Sequence, residues 1–538
     1  MVKLIFIAIA FSIYYYWIFS STGAVLTEML KLRTKNIYFG MIIGFFFYFA
    51  VVSLFLMPFQ LIPDLRYIFL VYLLGAINVL YSLVLLILIR FWFNIRLLDK
   101  NHAIFLFAMA IFIVVYYLKN YFISPAGQNL NTSYILTFFT RDQKDLTKFV
   151  LDPSVIIGNT RALASLGWFT NVSMWFTITN LDPNEIILNL LDILDAMVFA
   201  ALFVTLLNNF SRKNNNNLVS GFFSLLILMG SKLLIYYFGY DAWHPENMIT
   251  NLFFVIFIIL SIYTNAEYRN RNMPWIIGII FTSYITFDWD ATYIILFLVY
   301  VSGWITMLKY QVNFLKDLVK FTIFPTICFI FYNIWYGTIW LIFVFLGLML
   351  IMIILSILLY RNYARIFEIE KAIYSHNRVL IFVIPSLFTI ASVLILLASG
   401  KIKLDFWNLE AIASSIYTQL GLAKIKDLAN SIFLIISFIF LGFGLLWIFF
   451  MERIPNFSAK TSINMLAILT VTFFNPLVGR FLIWLFNDRA LLNNATVFIV
   501  AILVAINTSV YAIKIKQFKK ITWKPQQKQQ KQINYKQK

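Results

Sequence analysis

The chain has 538 residues, of which 62% are apolar and 12% charged, and its formal net charge is +19. Soluble domains average about 45–50% apolar and about 25% charged, so an ordinary water-soluble enzyme is excluded. The single cysteine, Cys328, excludes an internal disulfide and a thiolate metal site.

Apolar runs of eighteen or more residues recur from end to end. Each is long enough to cross a bilayer core of roughly 30 Å as a helix. Backbone in lipid has to satisfy its own hydrogen bonds, so these runs are helices. They are continuous, without period-two alternation, which excludes a transmembrane β-barrel. The expected fold is an all-α polytopic membrane protein with about 15 transmembrane helices (13–15).

In chain order the candidate spans run near 3–23, 38–61, 67–89, 103–124, 184–208, 218–238, 249–265, 274–287, 291–308, 319–335, 338–360, 379–399, 431–451, 463–485 and 494–513. The start, "MVKLIFIAIAFSIYYYWIFSSTGAVL", resembles a signal peptide in its first half. It has no small-x-small cleavage site close behind the apolar stretch, so an uncleaved first span is expected. The short spans near 274 and 291 read as two crossings or as a re-entrant hairpin.

The loops carry the orientation. "KLRTK" at 31–35, "RFWFNIRLLDK" at 90–100, "SRKNNNN" at 211–217 and "YRNRN" at 268–272 are basic. So are 309–320, 360–378, 452–460 and the Gln/Lys-rich tail, whereas the loops between them are neutral, acidic or mixed. Lys and Arg concentrate on the cytoplasmic side, which puts the N terminus outside and the tail in the cytoplasm. The same placement explains the net charge by contact with an anionic leaflet and membrane lipids, not nucleic acid. The abundance of Ile, Asn, Lys, Phe and Tyr reads as the codon usage of an AT-rich bacterial genome, hence a bacterial cell membrane. Four regions follow: a four-helix group (1–124), an extracytoplasmic loop (125–183), a main bundle (184–513) and a basic disordered tail (514–538).

The large external loop holds the most concentrated mixed charge before the tail, "TRDQKDLTKF" at 140–149. Asp142 and Asp145 are three apart, so a helix there puts both carboxylates on one face. "LDPS" at 151–154 breaks this segment, because the residue before proline avoids the helical region. The stretch "GNTRALASLGWFTNVSMWFTI" at 158–178 then carries one charge, Arg161, and two tryptophans, Trp168 and Trp175, seven apart on one helical face. Tryptophan favours the headgroup level, so an interfacial helix is expected, lying in or dipping into the membrane surface. Asp182 and Pro183 suit the cap and first turn of the next span.

A carboxylate pair beside such a helix suits sugar transfer from a lipid-phosphate donor. A carboxylate takes the proton of the acceptor hydroxyl. The leaving phosphate needs Arg, Lys or a divalent cation, magnesium or manganese, to stabilise its charge. Asp142 or Asp145 is the candidate base or metal ligand, and Arg161 the candidate phosphate clamp. The plain alternative is that these are solvated loop charges.

The layout resembles a group of bacterial multi-pass proteins related to the GT-C glycosyltransferases. In these, about four spans precede an external segment with paired acidic residues. An Asp-containing turn, an Arg and an apolar Ser/Trp-containing helix follow. The corresponding elements here are "RDQKD", "LDPS", Arg161 and "LASLGWF", which holds Trp168. A second shared element is the aromatic and polar segment "YDAWHPENMITNLFFVIF" at 240–257, with Asp241 and His244. The resemblance covers roughly residues 100–300. It implies a GT-C-like fold, a polyprenyl-phosphate sugar as donor and catalytic carboxylates at Asp142 and Asp145. Arg161, Lys232, His244, Trp168 and Asp241 would line the substrate.

Other polar groups keep other functions open. Lys232 lies inside the outer end of span 218–238, where it snorkels or meets phosphate in an external cavity. Asp241, His244 and Glu246 share one external turn but fall short of a metal spacing. Asp192 and Asp195 lie well inside span 184–208, with Asn189 on the face of Asp192. Carboxylates at that depth face a bundle interior, a wet cavity or an ion path. They carry the alternative of a proton-coupled secondary transporter or lipid-linked glycan flippase. A non-catalytic membrane scaffold is the third reading. No Walker, HExxH or nucleophile-elbow pattern is present.

Overall fold

The computed structural model describes residues 2–31, 37–56, 67–93, 166–179, 272–285, 315–335 and 339–362, with separate positions between 58 and 65, 103 and 114, 194 and 201, and 387 and 398. Its elements are helices: α1 (Val2–Met29), α2 (Ile37–Leu56), α3 (Tyr67–Ile87), α4 (Leu166–Thr179), α5 (Met273–Ile285), α6 (Leu315–Trp335) and α7 (Ile339–Arg361). The helix of α3 widens at its end into a π-helical turn, Leu88–Phe93.

Among the described residues four helices are long and apolar enough to cross a membrane: Ile5–Met29, Tyr38–Leu56, Ile68–Phe93 and Ile342–Arg361. They fall on the expected spans at 3–23, 38–61, 67–89 and 338–360. The ends differ for local reasons. α1 runs on to Met29 because "AVLTEM" contains no breaker, and Lys31, at φ 50°, closes it in the left-handed region. α2 stops at Leu56 because Pro58 disfavours a helical residue before it. α6 contains the shorter apolar stretch Thr322–Phe331 and carries Pro325 in its interior. α5 occupies the expected short span near 274; its 13 residues reach only about 20 Å.

The core is largely apolar, but the surface is apolar as well and several polar side chains are buried. Phe6, Tyr72, Phe91, Trp92 and Phe343 are exposed, whereas Ser12, Ser21, Thr22, Asn78 and Thr170 are buried. On helices long and apolar enough to cross a membrane, exposed apolar surface of this extent fits contact with lipid. Several buried hydroxyls are satisfied within their own helices. Ser12 Oγ donates to the Ala8 carbonyl at 2.7 Å, Ser20 Oγ to that of Tyr16 at 2.6 Å, and Thr282 Oγ1 to that of Gly278 at 2.8 Å.

The α1–α2 pair is antiparallel and unusually close. Gly23 lies against Gly40, and Gly44 against the backbone of Phe19. Gly40 and Gly44 form a G-x-x-x-G spacing, which puts both on one face. A methyl group on Gly23 would fall on the carbonyl oxygen of Gly40, and one on Gly44 on that of Phe19. One on Gly40 would sit 3.6 Å from the carbonyl carbon of Gly23, an ordinary contact.

Around this pair α3 packs beside α1 and α2, and α4 against α2 and α3. α5 joins α2 to α6, and α6 packs on α7 through stacked Phe329 and Phe345, centroids 4.1 Å apart. The Asn272 amide donates to the Leu30 carbonyl at 3.1 Å. The flanks of the 31–35 and 268–272 loops, two basic loops of the sequence pattern, therefore share one end of the bundle. Phe59 and Phe69 meet at 6.3 Å at the opposite end, between α2 and α3.

Candidate functional site: a polar cluster shared by four helices

α1, α2, α3 and α4 each bring a polar side chain to one point. Tyr15 lies at the centre of α1, Tyr48 near the centre of α2 and Asn78 near the centre of α3. Asn171 comes from α4. All four are buried, at 1%, 1%, 3% and 4% exposure, so their polar atoms depend on one another.

The bonds form a connected set. Trp175 Nε1 donates to Tyr15 Oη at 2.8 Å. Tyr15 Oη donates to Asn171 Oδ1 at 3.1 Å. Tyr48 Oη lies 2.8 Å from Asn171 Oδ1 and 2.7 Å from Asn78 Oδ1. A phenol has one proton, so Tyr48 shares it between two amide oxygens. Asn78 Nδ2 points at Met174 Sδ, 3.1 Å away. Aromatic rings wall the cluster: Phe11 meets the Trp175 ring edge-on at 4.9 Å, and Tyr81 meets Tyr48 at 5.8 Å. Tyr81 in turn shares a hydrogen bond of 2.8 Å with Thr22 of α1.

The local sequence explains why these residues meet. In α4, Thr170, Asn171, Ser173 and Met174 are buried, whereas Ile178 is exposed. The polar side of the helix turns inward. That is the stable choice where the outside offers no hydrogen bonds. Chemically the cluster is neutral. It holds no nucleophile and no ionised base, and what it does is fix α4 against three helices at a set height.

Of the residues expected from sequence to form a site, Trp168 lies in the first turn of α4. Asp142, Asp145, Arg161, Asp192, Asp195, Lys232, Asp241 and His244 lie outside the described residues. Leu194, Met197, Val198 and Ala201, neighbours of Asp192 and Asp195 in the chain, are helical and buried. Among the described residues no group of three or more His, Cys, Asp or Glu side chains is placed to hold a metal ion. Sequence reasoning missed Tyr15, Tyr48, Asn78 and Asn171. The available signal was an amide inside each of two apolar stretches, "LLGAINVLY" and "GWFTNVSMWF". Comparison with protein-family models, with curated proteins and with solved structures gives no match.

Proposed function

We propose that this is a GT-C-like glycosyltransferase, or a diverged relative, with about 15 transmembrane helices in a bacterial cell membrane. It transfers a sugar from a polyprenyl-phosphate donor on the outer face, with its N terminus outside and its C terminus cytoplasmic. Asp142 or Asp145 removes the acceptor proton, alone or through a bound magnesium or manganese ion. Arg161 and Lys232 hold the phosphate, and Trp168, Asp241 and His244 line the donor.

The observation that supports this reading is the clamped position of α4. Arg161 stands five residues before Leu166, so full extension keeps it within roughly 18 Å of the helix start. A helix fixed to α1–α3 thus keeps Arg161 within that reach of the bundle. Cells carrying the double variant Asp142→Asn/Asp145→Asn are expected to lose the extracellular glycan while protein level holds. Unchanged glycan at equal protein level would remove the carboxylates from the mechanism.

A second reading has its own support. The residues flanking Asp192 and Asp195 are buried against protein, the setting in which intramembrane carboxylates serve an ion path. In a proton-coupled carrier or flippase, Asp192→Asn with Asp195→Asn abolishes transport and leaves no transferase activity to lose.

A further inference from the structure

The sequence suggests a helix at the membrane surface over 158–178, yet the contacts of α4 reach the centres of three long helices. Asn171 bonds to mid-helix Tyr15 and Tyr48, and Met174 meets mid-helix Asn78. If α1–α3 cross the bilayer, this point lies near its midplane.

The length of α4 sets a second limit. It has 14 residues, which span about 21 Å, short of a hydrocarbon core of roughly 30 Å. Its direction follows from its partners on α1. Asn171 meets Tyr15, whereas Trp175, one turn later, meets Phe11 and Tyr14 as well as Tyr15. Moving forward along α4 means moving backward along α1. The C-terminal end of α4 therefore rises toward the end of the bundle that carries the α1 N terminus. Phe59 and Ile62, between α2 and α3, lie at the same end.

We propose that α4 is a half-membrane helix. Its C-terminal end opens at the α1 N-terminal face, Leu166 at its other described end lies at or beyond mid-depth, and Tyr15, Tyr48 and Asn78 latch it there. The inward-facing polar side of α4 and the outward Ile178 are what such an element requires in lipid. A surface helix would show the reverse, with its polar side to water. This inference does not depend on the transferase reading, because it uses only helix contacts.

Single cysteines at Leu166, Thr179 and Ile62 in full-length protein, with Cys328→Ala as background, test it in sealed vesicles of known orientation. A membrane-impermeant thiol reagent is applied to one face at a time. Thr179→Cys and Ile62→Cys are expected to label from the same face only. Leu166→Cys is expected to stay unlabelled from both faces until the protein is denatured. Labelling of Leu166→Cys from the face opposite Ile62 would mean that α4 reaches the far side. Its labelling from the same face would mean a surface helix. Labelling of Thr179→Cys from the opposite face would reverse the direction. Each of these overturns the proposal. Amide hydrogen exchange on the unsubstituted protein guards against variants that misfold: slow exchange through 170–177 is expected, and fast exchange there contradicts a latched helix.

Discussion

Asn171 is the residue on which the cluster turns, because its carbonyl oxygen accepts from two phenols on two different helices. Replacing it with leucine leaves Tyr15 without its acceptor and Tyr48 with one acceptor instead of two. Buried groups left unpaired cost about 1–3 kcal/mol, although membrane hydrogen bonds average nearer 0.6 kcal/mol. We expect Asn171→Leu to destabilise the purified protein by about 1–2 kcal/mol, read from thermal unfolding in detergent. Ser12→Ala is the matched control. That hydroxyl bonds only to a carbonyl of its own helix, so its loss is expected to change stability by no more than about 0.5 kcal/mol. If the two variants behave alike, the cluster does not hold the helices. Sequence reasoning singled out Trp175 as a face residue but passed over Asn171, an amide in an apolar stretch. It did not reveal their partners, because those lie at positions 15, 48 and 78, and periodicity reports a face, not what the face meets.

At the scale of elements, the α1–α2 contact makes a position-specific prediction. The three glycines look equivalent in sequence, yet the space beside them is not. Gly23→Ala and Gly44→Ala drive a methyl group into backbone of the facing helix, which cannot move aside as a side chain can. Each is expected to cost about 1–3 kcal/mol and to lower the yield of monodisperse protein. Gly40→Ala, with its 3.6 Å contact, is expected to be close to neutral. Equal effects at all three positions would mean that the helices do not approach as closely as the structure has them. The helices themselves were legible, since α1, α2, α3 and α7 fall on runs chosen by length and hydropathy alone. Their facing sides were not. α2 and α7 are apolar all round, so no stripe distinguishes protein from lipid. The height of α4 was also hidden. Tryptophans at one helical face suit an interface, and the polar partners that carry the proposed deeper position lie on other helices.

For the whole molecule, the described residues form a membrane-embedded, all-helical protein. Its outer surface is apolar along α3 and α7, and polar side chains such as Asn78, Thr170 and Asn171 are turned inward. Glycine contacts bring α1 and α2 together, and the mid-height cluster adds α3 and α4. The transferase and carrier readings both need this frame, because each places its chemistry on chain attached to it. Of the basic loops read from the sequence, the flanks of two meet at one end, where the Asn272 amide bonds to the Leu30 carbonyl. The candidate carboxylates Asp142, Asp145, Asp192 and Asp195 lie outside the described residues, so variant phenotypes decide their roles. The most direct test of the account is a double-mutant cycle on Tyr48→Phe and Asn171→Leu, followed by thermal unfolding in detergent. Direct contact between the two side chains predicts non-additive effects, with a coupling of about 0.5 kcal/mol or more. Effects that add to within about 0.3 kcal/mol would mean that α4 is not latched to α2, and the account of the bundle would fail with it.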